Sequence, residues 1–284
     1  MIGAYDYQTL REILLRTSGH ALGEGKEYLV ERRLSPVAEC LDHPDVASLI
    51  QHLRITQDRR TTRLVCEAMT TNETLFFRDG RPFDLLRERL IPDLLARRRA
   101  ERRLRIWSAA CSTGQEAYSV AMTLAEMGDA LAGWTVDILA TDYVPEVLDR
   151  ARAGVFNHFE VQRGLPVQML LKYFDASEAG WRVKDSLKRG IRFEQGNLLE
   201  GFGHLGPFDI VFCRNVLIYF DVEGKRDVLH RLSRVVAPDG YLFLGASETS
   251  LGVTDTWRVL PDCNTTLFQI HPTSPAAPRS LVTA

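Results

Sequence analysis

Apolar residues recur along this chain at two different periods, and the change of period divides the sequence. From Asp6 to about Met69 the spacing is helical. Leu10, Ile13 and Leu14 share a face before Gly19, and Tyr28, Leu29 and Leu34 follow Gly25. Val46, Leu49, Ile50 and Leu53 follow Pro44, which fits a first-turn proline, and Leu64, Val65 and Ala68 suggest a fourth short helix. Short amphipathic helices with little strand signal make a small bundle, placed at residues 1–69. Residues 70–81 read as a linker, and a helix is predicted over Pro82–Arg98.

Beyond Arg98 the pattern changes to short, unbroken apolar runs at Leu104–Ala110, Thr135–Ala140, Phe208–Cys213 and Gly240–Leu244. Such runs read as strands buried on both faces, and helices between them imply a parallel sheet. A helix over Val222–Val236 precedes the last strand, with Pro238-Asp239-Gly240 as the turn between them. Trp257–Leu260 and Thr265–Ile270 read as a closing hairpin on the sheet edge, so the α/β region spans 82–270. Residues 163–195 interrupt the alternation with a helix, Pro166–Tyr173, and two runs, Trp181–Lys184 and Gly190–Glu194, read together as a small β insertion. The tail 271–284 is rich in Pro, Ser and Ala and reads as disordered. The fold class is therefore α/β, a doubly wound sheet with a small N-terminal helical domain and an inserted small β-subdomain.

Composition narrows the function. A net charge of −2 over 284 residues offers no overall field for nucleic acid or an anionic membrane. The five cysteines lie far apart without a C-x-x-C pair, which suggests reduced thiols in a cytoplasmic protein. The seven histidines show no ligand spacing, so no metal is expected. Met1–Leu10 lacks the pattern of a signal peptide, and no apolar run reaches bilayer length.

The richest stretch is LRIWSAACSTGQEAYSVAMTL, Leu104–Leu124. It reads as a strand, a small-residue loop (Cys111–Gln115) and a helix from Glu116, followed by a strand that delivers Asp142. That order opens a doubly wound sheet that binds a nucleoside where the strand order reverses. The loop holds a single glycine, Gly114, where a dinucleotide fold would carry G-x-G-x-x-G against a pyrophosphate. A ligand with a ribose and no phosphate suits such a loop, and S-adenosylmethionine is the common one. Plainer readings stand beside this one. Glu116 at a helix start gains about 0.3–1 kcal/mol from the dipole whatever it binds. Asp142 could be a solvated loop acid, Gly196-Asn197 a simple turn, and Asn72–Arg78 a capped turn with an apolar staple. Core packing does not explain Arg214-Asn215 at the carboxyl end of a strand, where such folds place ligands.

Four motifs in order resemble the CheR family: Asn72-x-Thr74-x-Phe76-Phe77-Arg78, Cys111-Ser112-Thr113-Gly114-Gln115-Glu116, Ala140-Thr141-Asp142 and Arg214-Asn215-Val216-Leu217-Ile218-Tyr219-Phe220. Members are S-adenosylmethionine-dependent methyltransferases that esterify glutamates on bacterial chemoreceptors. The resemblance implies that Asn72, Thr74, Arg78, Glu116, Asp142, Asn197, Leu198, Arg214 and Asn215 bind the cofactor. Asp142 would take the ribose hydroxyls, Asn197 and Leu198 would border the adenine, and Arg214 and Asn215 would line the pocket floor. Arg78 and Tyr219 are the candidates for the reaction centre. Gln115 and Ala117 stand where the family usually has Glu and Pro, and Ser35-Pro36-Val37-Ala38-Glu39 is less basic than the receptor-facing helix of some members.

The implied partner is the helical methylation region of a chemoreceptor, with Arg32 and Arg33 as candidate docking residues on a monomeric enzyme. Some members grip a receptor's C-terminal pentapeptide at the β-subdomain through a longer, glycine-rich loop. Here the connection Asp175–Gly180 is short and carries Asp175 and Glu178, so no dependence on that peptide is expected. Two other function classes remain in view. A nucleic-acid methyltransferase could use the arginines between Arg97 and Arg105, although that run also reads as a solvated helix end. A non-catalytic cofactor or receptor-binding module would not require Arg78, Asp142 and Tyr219 together.

Overall fold

The computed structural model describes residues 2–261 and 263–271. The first part is a bundle of α1 (Ala4–Ser18), α2 (Glu27–Cys40), α3 (Val46–Thr56) and α4 (Arg59–Met69). Its core takes Leu10 and Leu14 from α1, Val30 and Leu34 from α2, Leu49 and Leu53 from α3, and Val65 and Met69 from α4. Local chemistry sets the ends. Gly19 closes α1 in the left-handed region at φ +75°, its N–H reaching the Leu15 carbonyl. Asp45 and Ser48 form a capping box for α3, and Asp58 accepts from Thr61 N–H at the start of α4. Pro44 therefore lies one residue before the cap, not in the first turn. Tyr28 is exposed and Val30 takes the core position, because the buried stripe of α2 runs Val30, Leu34, Ala38.

A helical stretch follows the linker as α5 (Arg81–Leu85), a π turn over Leu86–Leu90, and α6 (Ile91–Arg97). The α/β region then runs β1 (Arg103–Ala109), α7 (Gln115–Ala125), β2 (Thr135–Asp142), α8 (Pro145–Ala153), β3 (Val155–Phe156), α9 (His158–Gln162) and α10 (Val167–Tyr173). It continues with β4 (Phe174–Ser177), β5 (Gly180–Val183), α11 (Asp185–Lys188), β6 (Ile191–Gln195), β7 (Phe208–Cys213), α12 (Val222–Ser233), β8 (Val236–Leu244), β9 (Trp257–Val259) and β10 (Leu267–Ile270). The main sheet has seven strands in the order β6-β2-β1-β7-β8-β10-β9. The first five run parallel, and the closing hairpin adds antiparallel to β8. Alternate residues feed two cores, Ile106, Ile138, Ile210 and Phe212 on one face and Trp107, Leu139 and Val211 on the other. All six residues of β7 are buried, as a central parallel strand requires.

Three expected boundaries move. Gly190–Glu194 does not belong to the insertion: β6 pairs with β2 from Ile138↔Ile191 to Asp142↔Gln195. The small sheet is β3-β5-β4 and begins earlier, at Val155. Alternation in a short strand tells which face is buried but not which sheet it joins. Likewise the helix ahead of β8 stops at Ser233, and Pro238-Asp239-Gly240 forms a bulge inside the strand. The bulge turns Asp239 outward, where its carboxylate accepts from both Arg97 and Arg98. The tail read as disordered lies, after His271, outside the described residues.

The arginines between Arg97 and Arg105 are largely committed within the fold. Arg98 donates to Asp209 and Asp239, Arg103 to Asp137, and Arg105 to the Pro207 carbonyl with its guanidinium over the Phe208 ring. Arg98, Arg103 and Arg105 brace the end of the sheet opposite the carboxyl ends of β1, β2 and β7, while Arg97, Arg99, Arg102 and Arg103 are exposed, as a solvated helix end is. Among the described residues no helix is long and apolar enough to cross a membrane.

Candidate active site

The chain passes from β1 to β2 and β6 on one side, then crosses to β7 and β8 on the other. A cleft opens at that reversal, with an empty volume, including its open mouth, of about 1050 Å³. Its base comes from the segments following β1, β2, β6 and β7. Its roof is the inner end of the helical bundle, with Ser18 at the end of α1, His20 just beyond it, and Thr70 and Thr71 after α4. All ten candidate residues named from the sequence line this one cleft, from Asn72 in the linker to Tyr219 after β7.

Asp142 ends β2 and is buried. One carboxylate oxygen accepts from Ser112 N–H at 2.8 Å and the other from Val144 N–H at 3.0 Å. Burial raises its pKa, and these amide bonds oppose the rise. Each oxygen keeps a lone pair for a further donor. The loop that presents Ser112 is tight: Ala110, Ser112 and Gly114 have φ of +58°, +51° and +94°. Ser112 Oγ donates to the Asn72 carbonyl, tying the linker to the loop, and Thr113 Oγ1 donates to buried Gln115. Gln115 is thus a structural partner inside the loop.

Glu116 opens α7. Its Oε1 accepts from Ser108 Oγ at 2.7 Å and its Oε2 from Arg214 Nη1 at 2.9 Å. Arg214 is more than floor. Its side chain is only 1% exposed, and its Nη2 donates to Asp79 Oδ2 at 2.6 Å and to the Arg78 carbonyl at 2.9 Å. One guanidinium therefore joins β7, α7 and the 72–78 motif. Its buried Nε has no partner among the described residues, an orphan donor in the cleft wall. Arg78 itself is half-buried, with a single long bond, Nη1 to the Glu73 carbonyl at 3.3 Å. Among the described residues no other hydrogen bond or ion pair engages its guanidinium, which leaves donors for a ligand or substrate anion.

Tyr219 stands on a 3₁₀ turn, Leu217–Tyr219, with its ring edge-on to His20 at 5.7 Å. Its carbonyl accepts from Ala21 N–H, and Asn197 Nδ2 donates to the Thr17 carbonyl. Gly19 packs so closely on Phe220 that a Cβ there would lie 2.1 Å from the ring. These contacts dock the bundle on the sheet. Leu198 is buried beside Asn197. Burial and nearby Arg33 lower the His20 pKa, which favours the neutral imidazole facing the cleft. Three non-glycine residues lining the cleft, Ala110, Ser112 and Asn215, and the two that flank Arg78, Phe77 and Asp79, have φ between +48° and +68°. Such conformations cost about 1–3 kcal/mol each and gather at functional sites.

Sequence reading missed Ser18, His20 and Tyr143 in the lining, and Asp79, which holds Arg214. Asp79 adjoins the 72–78 motif and Tyr143 adjoins Asp142, so both carried a readable signal. Ser18 and His20 carried none, because only the packing of the bundle on the sheet brings them in.

The comparisons with known proteins agree with this geometry. Residues 5–70 match the CheR methyltransferase all-alpha domain, and residues 72–264 match the CheR methyltransferase SAM binding domain. The chain belongs to the CheR methyltransferase family. Chemotaxis protein methyltransferase 1 of Pseudomonas aeruginosa is 43% identical over 261 residues, covering 90% of this chain and 94% of the relative. Chemotaxis protein methyltransferase Cher2 of Pseudomonas putida is 40% identical over 262 residues, 91% of this chain and 95% of the relative. The Escherichia coli chemotaxis protein methyltransferase is 36% identical over 248 residues, 85% of this chain and 83% of the relative. This CheR protein is thus a methyltransferase with an S-adenosylmethionine-binding domain. Its cleft suits that ligand, since it offers a buried acid with free lone pairs, an orphan Arg214 Nε and a half-free Arg78, and no phosphate cradle. Among the described residues no cluster of His, Cys, Asp and Glu could hold a metal ion.

Proposed function

We propose that this CheR protein transfers the methyl group of S-adenosylmethionine to glutamate carboxylates of chemoreceptors, giving methyl esters. The observation that supports it best is the convergence of Arg78, Asp142 and Tyr219 on one cleft, where a nucleoside acid and two groups for the methionine end and the substrate are needed together. Bound S-adenosylmethionine supplies a methyl already activated on a sulfonium. An acceptor glutamate, with a reference pKa of about 4.3, is anionic at neutral pH and needs no general base. The protein's task is orientation and exclusion of water, which can contribute roughly 7–11 kcal/mol when reactants are well aligned.

In this reading Asp142 holds the ribose, Asn197 and Leu198 border the adenine, and Glu116, Arg214, Asn72, Thr74 and Asn215 shape the remainder. Arg78, with its spare donors, and Tyr219 position the methionine end and the incoming carboxylate. A transfer assay from labelled S-adenosylmethionine to receptor-containing membranes, scored as alkali-labile counts, tests the reaction. Arg78→Ala and Tyr219→Phe should each lower kcat by about 10–100-fold with product affinity nearly unchanged, the penalty for misplacing reacting groups. Alkali-stable counts would sink ester formation, and a parental rate in either variant would sink that residue's role.

Docking on the receptor's helical region was expected to use Arg32 and Arg33. Arg33 is committed elsewhere: its guanidinium donates to the Met69 and Thr70 carbonyls and to Thr71 Oγ1, residues at the cleft rim. Reversing it would damage the cleft. Arg32 is exposed and remains the docking candidate. The β4–β5 connection is a two-residue turn, Glu178–Ala179, since Ser177 pairs with Gly180. So tight a turn offers few backbone groups to a peptide, which supports docking without a C-terminal pentapeptide. Arg32→Glu should raise the KM for receptor about threefold or more and leave product affinity alone, while pentapeptides titrated by calorimetry give no heat. An unchanged KM would move docking off Arg32, and micromolar peptide binding would restore the pentapeptide route.

A further inference from the structure

The turn that carries Tyr219 holds itself by two backbone bonds, Tyr219 N–H to the Val216 carbonyl and Phe220 N–H to the Leu217 carbonyl. It leaves β7 through Asn215 at φ +57°, a conformation that asparagine tolerates but does not fix, and closes with one short 3₁₀ turn. Ala21 N–H meets its far end at the Tyr219 carbonyl, and its near end is anchored by a carboxylate from another loop. Glu248, beyond the end of β8, is 5% exposed. Its Oε2 accepts from Asn215 N–H at 2.8 Å and from Gly245 N–H at 2.6 Å, and its Oε1 from Ile218 N–H at 3.1 Å. No ion pair to Glu248 forms among the described residues, so backbone amides alone solvate this buried acid. The two loops meet backbone to backbone. A Cβ on Gly245 would lie 2.7 Å from Asn215 Nδ2 and 2.8 Å from Asn215 N. Thr266 Oγ1 donates to the Gly245 carbonyl at 3.0 Å, extending the anchor to the segment that leads into β10.

We propose that Glu248 is a positioning residue for methyl transfer, acting through the 215–219 turn to fix Tyr219 at the cleft. The proposal rests on the reading of Tyr219 as a reaction-centre group. An ionised carboxylate is an acceptor at every lone pair, which is what three converging N–H groups require. Glutamine keeps the shape of Glu248 but turns one oxygen into a donor, so at least one of the three amides loses its acceptor and the turn loosens. The nucleoside end, held by Asp142 and Asn197, lies on other strands, and of the cofactor-lining residues Glu248 meets Asn215 at its backbone N–H.

Glu248→Gln should therefore lower kcat about 10–100-fold, as displacement of a reacting group by about 1 Å does, and leave product Kd by calorimetry within about threefold. In a Tyr219→Phe background the same change should add less than about threefold, because the two residues then act as one unit. Amide exchange supplies a readout that needs no variant to fold. The Asn215, Ile218 and Gly245 amides should be protected in the parent, and in Glu248→Gln they should lose protection while the sheet amides keep theirs. Free exchange at these amides in the parent would overturn the proposal, as would a parental kcat in folded Glu248→Gln or effects that multiply with Tyr219→Phe. A Tyr219→Phe enzyme at the parental rate would sink the reading of Tyr219 and this proposal with it. Unprotected amides beside an essential Tyr219 would sink the proposal alone.

Discussion

Arg214→Met should abolish methyl transfer and lower the melting temperature by roughly 6–20 °C, a loss of about 3–5 kcal/mol at about 2–4 °C per kcal/mol for a chain of this size. The side chain is 1% exposed and stands between Glu116, itself 12% exposed, and Asp79. Removing the cation leaves the Glu116 carboxylate buried with only Ser108 Oγ to meet it, and it releases the Arg78 carbonyl and Asp79. Breaking one side of a buried ion pair costs more than the pair is worth. The double variant Arg214→Met, Glu116→Gln should accordingly recover much of the lost stability, since neither buried charge remains, and should recover no activity. Thermal unfolding of both variants with the transfer assay checks this. A melting temperature within about 2 °C of the parent in Arg214→Met would show that the guanidinium does not tie the cleft together.

Asp142→Ala should weaken product binding by about 10–100-fold, the loss of a charged hydrogen bond worth roughly 1.5–3 kcal/mol. Sequence reasoning expects little loss of fold, because a strand-end acid belongs to the ligand. The structure corrects that expectation: the same carboxylate satisfies the Ser112 and Val144 amides, and each would become a buried orphan. A stability loss of about 1–3 kcal/mol per orphaned amide should accompany the loss of affinity. Asp142→Asn, which keeps one acceptor, should lose less of both. Because burial raises the Asp142 pKa, the folded state takes up its proton at higher pH than an unfolded chain does. Keeping it ionised is a cost present above the folded pKa and relieved on acidification, while ribose binding is lost over the same descent. Product affinity of the parent should start to fall above the ordinary aspartate range near ~3.9, and the step should vanish in Asp142→Asn. Calorimetry across pH measures it. A parental affinity in folded Asp142→Ala would remove Asp142 from the ribose.

Much of this was legible in the residues. The period of Leu10, Ile13 and Leu14 placed α1, and the six apolar residues of β7 marked a central strand, because burial on one stripe or on both faces leaves different patterns. The cleft was legible because a doubly wound sheet puts strand ends such as Asp142 and Arg214 together wherever the order reverses. What stayed hidden depends on partners far away in sequence. Arg33 looked like a docking charge until the Met69 and Thr70 carbonyls met it. Arg98 and Arg103 looked like part of a solvated run until Asp137, Asp209 and Asp239 met them, while Arg99 and Arg102 beside them are exposed. Gly190–Glu194 alternates equally well for either sheet, and only its pairing with β2 settles the matter.

The seam between bundle and sheet confines the bundle's share of the nucleoside pocket. Thr17, Ser18, Gly19, His20 and Ala21 all meet the sheet or the cleft, and at Gly19 the fit leaves no room for even a methyl group. With the short strip around Thr70 and Thr71, this is the bundle's hem; the outward faces of α2 and α3 lie outside it. A bundle built this way has a division of labour. Its hem is fixed by the cleft and the sheet, whereas substitutions on its outer faces leave the pocket beneath undisturbed.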